Sequence, residues 1–116
     1  MTELSGYLQT YFSTNESVAE ELEGFFRLKK LKKDEYLIRE GQYNAPLGFI
    51  QSGIFRIYRI SEGKEITQYL SCAGEFVTEL GSLLFGQPSR WHIQAISDAE
   101  IWSISQQDYQ KIPEVI

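Results

Sequence analysis

The chain has 116 residues, 42% of them hydrophobic and 23% charged, with eleven Lys/Arg against sixteen Asp/Glu for a net charge of −5. That length fits one domain with its own core. One cysteine (Cys72) and one histidine (His92) exclude a disulfide framework, a four-cysteine metal site and a multi-histidine centre. No apolar run approaches the roughly 20 residues that span a bilayer, and Met1–Gln9 lacks a basic region followed by an apolar one. The expectation is a soluble, cytoplasmic domain with no membrane partner, and its acidity is a poor match for nucleic acid.

In chain order, the first 24 residues read as two helices. Leu4, Tyr7, Leu8 and Tyr11–Phe12 recur at helical spacing, and Val18, Leu22, Phe25 and Phe26 make a second stripe. Thr14 or Asn15 is placed to cap the second helix and Gly24 to stop it. Arg27-Leu-Lys-Lys-Leu-Lys-Lys33 has five bases in seven residues. It reads either as a nucleic-acid patch or as a solvated element at a helix end, with Leu28 and Leu31 turned inward.

From there glycines recur at Gly41, Gly48, Gly53, Gly63, Gly74, Gly81 and Gly86, which is turn spacing for short strands. The β-type runs between them are Glu35–Ile38, Leu47–Ile50, Ile54–Ile60, Glu65–Leu70, Trp91–Ile96 and Ile101–Ile104. Ser61-Glu62-Gly63-Lys64 reads as a hairpin turn. Such strands predict an antiparallel sandwich or barrel, interrupted by one short helix near Glu79–Leu84 and followed by a helix-compatible tail, Gln106–Lys111. Cys72 and His92 read as a buried structural thiol and a strand histidine rather than haem ligands. The aromatics read as core, with Trp91 or Phe85 placed to stack on a ligand base.

Charge singles out one residue. Residues 67–116 hold six acids and two bases, and between Lys64 and Lys111 the only base is Arg90. It follows Gly74-Glu75-Phe76-Val77-Thr78-Glu79-Leu80-Gly81 and Gly86-Gln87-Pro88-Ser89. A helix start offers backbone N–H groups to an anion, and Gly81 admits close approach. Arg90 suits phosphate oxygens, Ser89 adds a hydroxyl, and Glu79 suits a ribose hydroxyl. The same spacing also fits a glycine-rich turn with a surface arginine paired to an acid.

Residues 30–111 resemble the ligand-sensing domain of the Crp/Fnr transcription regulators. The motifs are Glu35-Tyr-Leu-Ile-Arg-Glu-Gly-Gln42, Phe49-Ile-Gln-Ser-Gly-Ile-Phe-Arg-Ile-Tyr58, Gly74-Glu-Phe76, Glu79-Leu-Gly81 and Ala95–Ile104. The resemblance implies a mainly β fold with flanking helices, a double-stranded β-helix (jelly roll) holding a cyclic nucleotide, cAMP or cGMP. It divides the chain into N-terminal helices (1–26), a β-roll (27–104) and the start of a C-terminal helix (105–116), in a single sensor domain. The ligand cassette it implies is Thr78, Glu79, Leu80, Gly81, Ser89 and Arg90, with no other cofactor. The pair reads Ser89-Arg90 where the family has arginine first, and Thr78 stands where a glycine is usual. Neighbouring strand residues face opposite ways, so Arg90 has two placements, into the pocket or out of it. The resemblance further implies a non-enzymatic sensor that does not itself read DNA, in a parent that binds DNA as a homodimer. Alternatives are a kinase-regulator or channel module, and a stand-alone sensor that binds no cyclic nucleotide.

Overall fold

The computed structural model describes residues 3–114. Two helices come first, α1 (Glu3–Tyr11) and α2 (Glu16–Glu23). Asn15 is the cap: its Oδ1 accepts the Val18 N–H at 2.9 Å, and Gly24 closes α2 with its N–H on the last carbonyls. Eight strands follow, β1 (Arg27–Leu31), β2 (Tyr36–Ile38), β3 (Leu47–Ser52), β4 (Ile54–Ser61), β5 (Lys64–Cys72), β6 (Phe76–Val77), β7 (His92–Ala95) and β8 (Ala99–Ile104). A short helix α3 (Leu80–Phe85) lies between β6 and β7, while α4 (Gln106–Tyr109) and a 3₁₀ turn (Ile112–Glu114) occupy the tail. All strand pairs are antiparallel, in two four-stranded sheets ordered β1-β8-β3-β6 and β2-β7-β4-β5. This is the expected two-sheet roll with flanking helices.

Two cores hold it together. Between the sheets lie Ile50, Val77, Ala99 and Ile101 of one and Ile38, Phe55, Ile57, Ile93 and Ala95 of the other. On the opposite face of the first sheet, Leu47, Phe49 and Ile104 pack on Leu4, Leu8, Ala19 and Leu22 of the helices and Leu83 of α3. β3 is thus covered on both faces, which explains its unbroken apolar run Leu47-Gly-Phe-Ile50. The helices α1 and α2 are amphipathic because they have one such sheet to cover.

The hairpin turn is tight. Ser61 pairs with Lys64, and Glu62 and Gly63 both take left-handed backbone (φ 53° and 77°), the conformation that matches strand twist in a two-residue loop. Two expectations are corrected. Residues 27–31 form an edge strand against β8, where the resemblance starts the β-roll, but Leu28 is 39% exposed rather than turned inward. Cys72 is exposed, not buried, because β5 is an edge strand paired only with β4 and lies open along its length.

Candidate ligand cavity

The segment from β6 to β7 builds the site. β6 ends at Val77, and Thr78 donates its hydroxyl to the Pro46 carbonyl at 2.8 Å. Glu79 caps α3 and is only 5% exposed. Its Oε1 accepts the Gly81 N–H at 2.7 Å and its Oε2 accepts the Arg90 N–H at 2.9 Å. One carboxylate therefore ties the start of α3 to the approach of β7, eleven residues on. α3 ends at Gly86 in left-handed backbone (φ 68°), and the buried Ser82 hydroxyl accepts the Ala45 N–H at 3.0 Å, locking the helix to the lead into β3.

The return loop explains where Ser89 and Arg90 go. The Ser89 N–H donates to the Gln42 carbonyl and its carbonyl accepts from the Gly41 N–H, both at 2.7 Å. Its hydroxyl donates to the Trp91 carbonyl at 2.7 Å and accepts the Trp91 N–H at 3.3 Å. Ser89 is 2% exposed and turned into its own loop, away from the cavity. The chain bends around this hydroxyl, and Arg90, an exposed residue held by its backbone to Glu79, is among the residues that line the cavity. Its guanidinium makes no hydrogen bond or ion pair among the described residues.

The cavity has a volume of about 510 Å³, within the range for small-molecule sites. Thr78, Glu79, Leu80, Arg90 and Trp91 form one side. Ile57 of β4, Gln68, Tyr69 and Ser71 of β5, and Tyr11 of α1, with Leu47 of β3 and Phe76 and Val77 of β6, complete it. Gly81 is buried beside it and does not reach the wall. A Cβ at Gly81 would meet Glu79 Oε1 at 3.1 Å and Gln87 Oε1 at 3.2 Å. The glycine therefore makes room for the Glu79 carboxylate, and the N–H expected to meet an anion is already bonded to it. Phe85, 73% exposed, lies outside the wall, whereas Trp91 is in it. Sequence reasoning missed Tyr11, Gln68, Tyr69 and Ser71; no local motif marks them, because sheet pairing and helix docking bring them there.

His92 is part of a different cluster. It stacks on Tyr58 (4.8 Å between centroids), meets Tyr36 edge-on at 5.7 Å, and accepts the Glu40 N–H at 3.2 Å on Nδ1. The Tyr36 and Tyr58 hydroxyls are 2.9 Å apart. Arg39 and Arg56 lie over the Tyr36 and Tyr58 rings at 4.1 and 3.8 Å. Burial, and then the bond to Tyr36, push the Tyr58 phenol up to about 12. Among the described residues no group of His, Cys, Asp and Glu is placed to hold a metal ion, and no helix is long and apolar enough to cross a membrane.

A two-sheet roll holding a cavity between a capped helix and an arginine loop defines a class of ligand-holding domain. The family model described as "Cyclic nucleotide-binding domain" matches residues 28–114, and the chain belongs to that family. It is 33% identical over 93 residues to the anaerobic regulatory protein of Bacillus subtilis (strain 168), covering 78% of this chain and 38% of that protein. The chain thus spans well under half of the curated relative it matches. Among solved structures it is similar to the sensor domain of the transcriptional regulator DNR from Pseudomonas aeruginosa, with a TM-score of 0.78, 19% identity, and 97% and 81% of the two chains covered. It is also similar to the regulatory domain of Toxoplasma gondii PKA, solved with cAMP, with a TM-score of 0.84, 23% identity, and 95% and 43% covered.

Proposed function

We propose that this chain is the ligand-sensing domain of a Crp/Fnr-type transcription regulator and that its cavity takes a cyclic nucleotide, with no catalytic step. The observation that carries this reading is Arg90: it lines a nucleotide-sized cavity, its guanidinium has no partner among the described residues, and its backbone is bonded to the buried Glu79 carboxylate. A planar guanidinium matches two phosphate oxygens. Each Glu79 oxygen already accepts one backbone N–H and retains acceptor capacity for a ribose hydroxyl. Thr78 and Leu80 shape the wall between them. Ser89 contributes by bending the loop and not by touching the ligand. The likeness to a Bacillus regulatory protein supports a regulator over a kinase or channel module. In this reading DNA recognition and homodimerisation belong to a longer, cytoplasmic parent protein.

Calorimetry with cAMP and cGMP tests it. Arg90→Ala removes one charge-assisted bidentate contact, so affinity falls about tenfold to a hundredfold. The reading fails if neither nucleotide binds, or if Arg90→Ala binds as tightly as the wild type.

A further inference from the structure

His92 is the chain's only histidine, and histidine is the side chain whose ordinary titration falls between about pH 5 and 8. Its Nδ1 accepts the Glu40 N–H at 3.2 Å, so in the neutral ring the proton sits on Nε2. Glu40 stands inside a tight turn. The Gln42 N–H donates to the Arg39 carbonyl at 3.1 Å, and the Arg39 N–H donates to Gln42 Oε1 at 2.9 Å. The same turn makes both backbone bonds to Ser89: the Gly41 N–H donates to its carbonyl and the Gln42 carbonyl accepts its N–H, each at 2.7 Å. Ser89 directly precedes Arg90 and Trp91, which line the cavity. One imidazole nitrogen therefore pins the turn that holds the return loop of the cavity.

We propose that His92 is a pH-sensitive pin: its protonation releases the turn 39–42 and, through the bonds to Ser89, loosens the cavity loop. An imidazolium carries N–H on both nitrogens and has no acceptor. Nδ1–H then faces the Glu40 N–H, and a hydrogen bond becomes a repulsion. Charged and titratable groups surround the ring from three strands and the turn. β2 and the turn supply Tyr36, Arg39 and Glu40, β4 supplies Tyr58 and Arg56, and β5 supplies Glu65. Arg39 and Arg56 lie over the two tyrosine rings and Glu65 is bonded to Arg56 at 3.3 Å, so a charged His92 is a third cation in the cluster. Glu40 is exposed, so its freed N–H turns to water and the opening stays local. The opening of the turn follows from these hydrogen bonds alone, and its effect on ligand affinity rests on the cyclic nucleotide reading above.

Amide hydrogen exchange followed by NMR at about pH 8 and about pH 5.5, with no nucleotide added, tests the pin. Protection factors remove the intrinsic pH dependence of exchange. In the wild type, protection of Glu40, Gly41 and Ser89 should fall about threefold to tenfold at the lower pH, the worth of one hydrogen bond. His92→Phe keeps an aromatic ring without an acceptor and should show the low protection at both pH values. His92→Asn keeps an acceptor oxygen that does not titrate and should show the high protection at both. Wild-type protection that holds steady at Gly41 and Ser89, or that falls equally in His92→Asn, overturns the pin. Calorimetry with cAMP at the same two pH values reads the cavity: affinity should fall by a similar factor in the wild type and stay constant in His92→Asn. An affinity that holds while the turn opens overturns the coupling to the cavity. A wild type that binds no nucleotide at either pH overturns the cavity reading, and the exchange result still decides the pin.

Discussion

Glu79 holds two backbone N–H groups that are eleven residues apart, and this makes a prediction about stability with no ligand present. In Glu79→Ala both acceptors vanish. The Gly81 N–H loses its cap in a buried position, and the Arg90 N–H is left in a partly buried one, open to some rescue by water. A hydrogen bond to a charged group contributes about 1.5–3 kcal/mol, and loss of a cap alone about 1 kcal/mol. With one bond fully lost and one partly replaced, the expected destabilisation is about 2–4 kcal/mol, a large share of the 5–15 kcal/mol that holds a domain of this size. The melting temperature should fall by about 10 °C. Glu79→Gln keeps one acceptor oxygen but turns an amide N–H toward the second donor, so it should lose about 1–2 kcal/mol. Urea unfolding followed by the fluorescence of Trp91 and Trp102, with no nucleotide added, measures both. A change below about 0.5 kcal/mol in Glu79→Ala, within the range of ordinary surface substitutions, would refute the claim that this carboxylate ties α3 to the β7 loop. Under the proposed function Glu79 variants also lose ligand affinity through this tie, which makes Arg90 the cleaner probe of ligand contact.

Gly53 sits at φ +92°, and a Cβ there would meet Ala99 Cβ at 2.5 Å and the Asp98 carbonyl oxygen at 2.6 Å; Gly53→Ala should lose about 2–4 kcal/mol in the same unfolding assay. Tyr58 is favoured as the neutral phenol in the folded state, its value raised from 10.0 to about 12, so its contribution to stability is complete below pH 10 and disappears as pH rises through about 12. Alkaline unfolding curves should therefore be shallower for Tyr58→Phe over that window. Asn15→Ala removes the α2 cap and should lower stability by about 1 kcal/mol, read by thermal unfolding.

The helices and the hairpin were legible because their signals are local. A 3.6-residue stripe, Asn15 before an acidic turn, and Glu62-Gly63 between two β runs each specify their own geometry. β1 was not legible from local pattern, since alternation is imprinted by burial of one face and residues 27–30 are exposed on both. Its lysines suit an open edge, where charge discourages further pairing. Cys72 was misjudged for the related reason that nothing local says β5 will be an edge. In the site, Glu79 and Arg90 stood out by residue type and spacing. The course of the loop through Arg90 did not, because it depends on the Ser89 hydroxyl bonding both backbone groups of Trp91. Gln68 was hidden for the deepest reason: Ile57 pairs with Tyr69 and Tyr58 with Thr67, so Gln68 bulges from the β4–β5 ladder, and a bulge is a property of two strands in register that neither strand alone records.

That bulge also bears on solubility. β5 is nine residues long, open along its outer edge, and carries Ile66, Tyr69 and Leu70 in exposed positions. A flat strand of that kind is a template on which copies of the same protein stack edge to edge. The extra residue at position 68 twists the strand and interrupts its row of free N–H and C=O groups, while Lys64 and Glu65 charge its entry. Straightening β5 by deleting Gln68 would give the domain an uninterrupted adhesive margin.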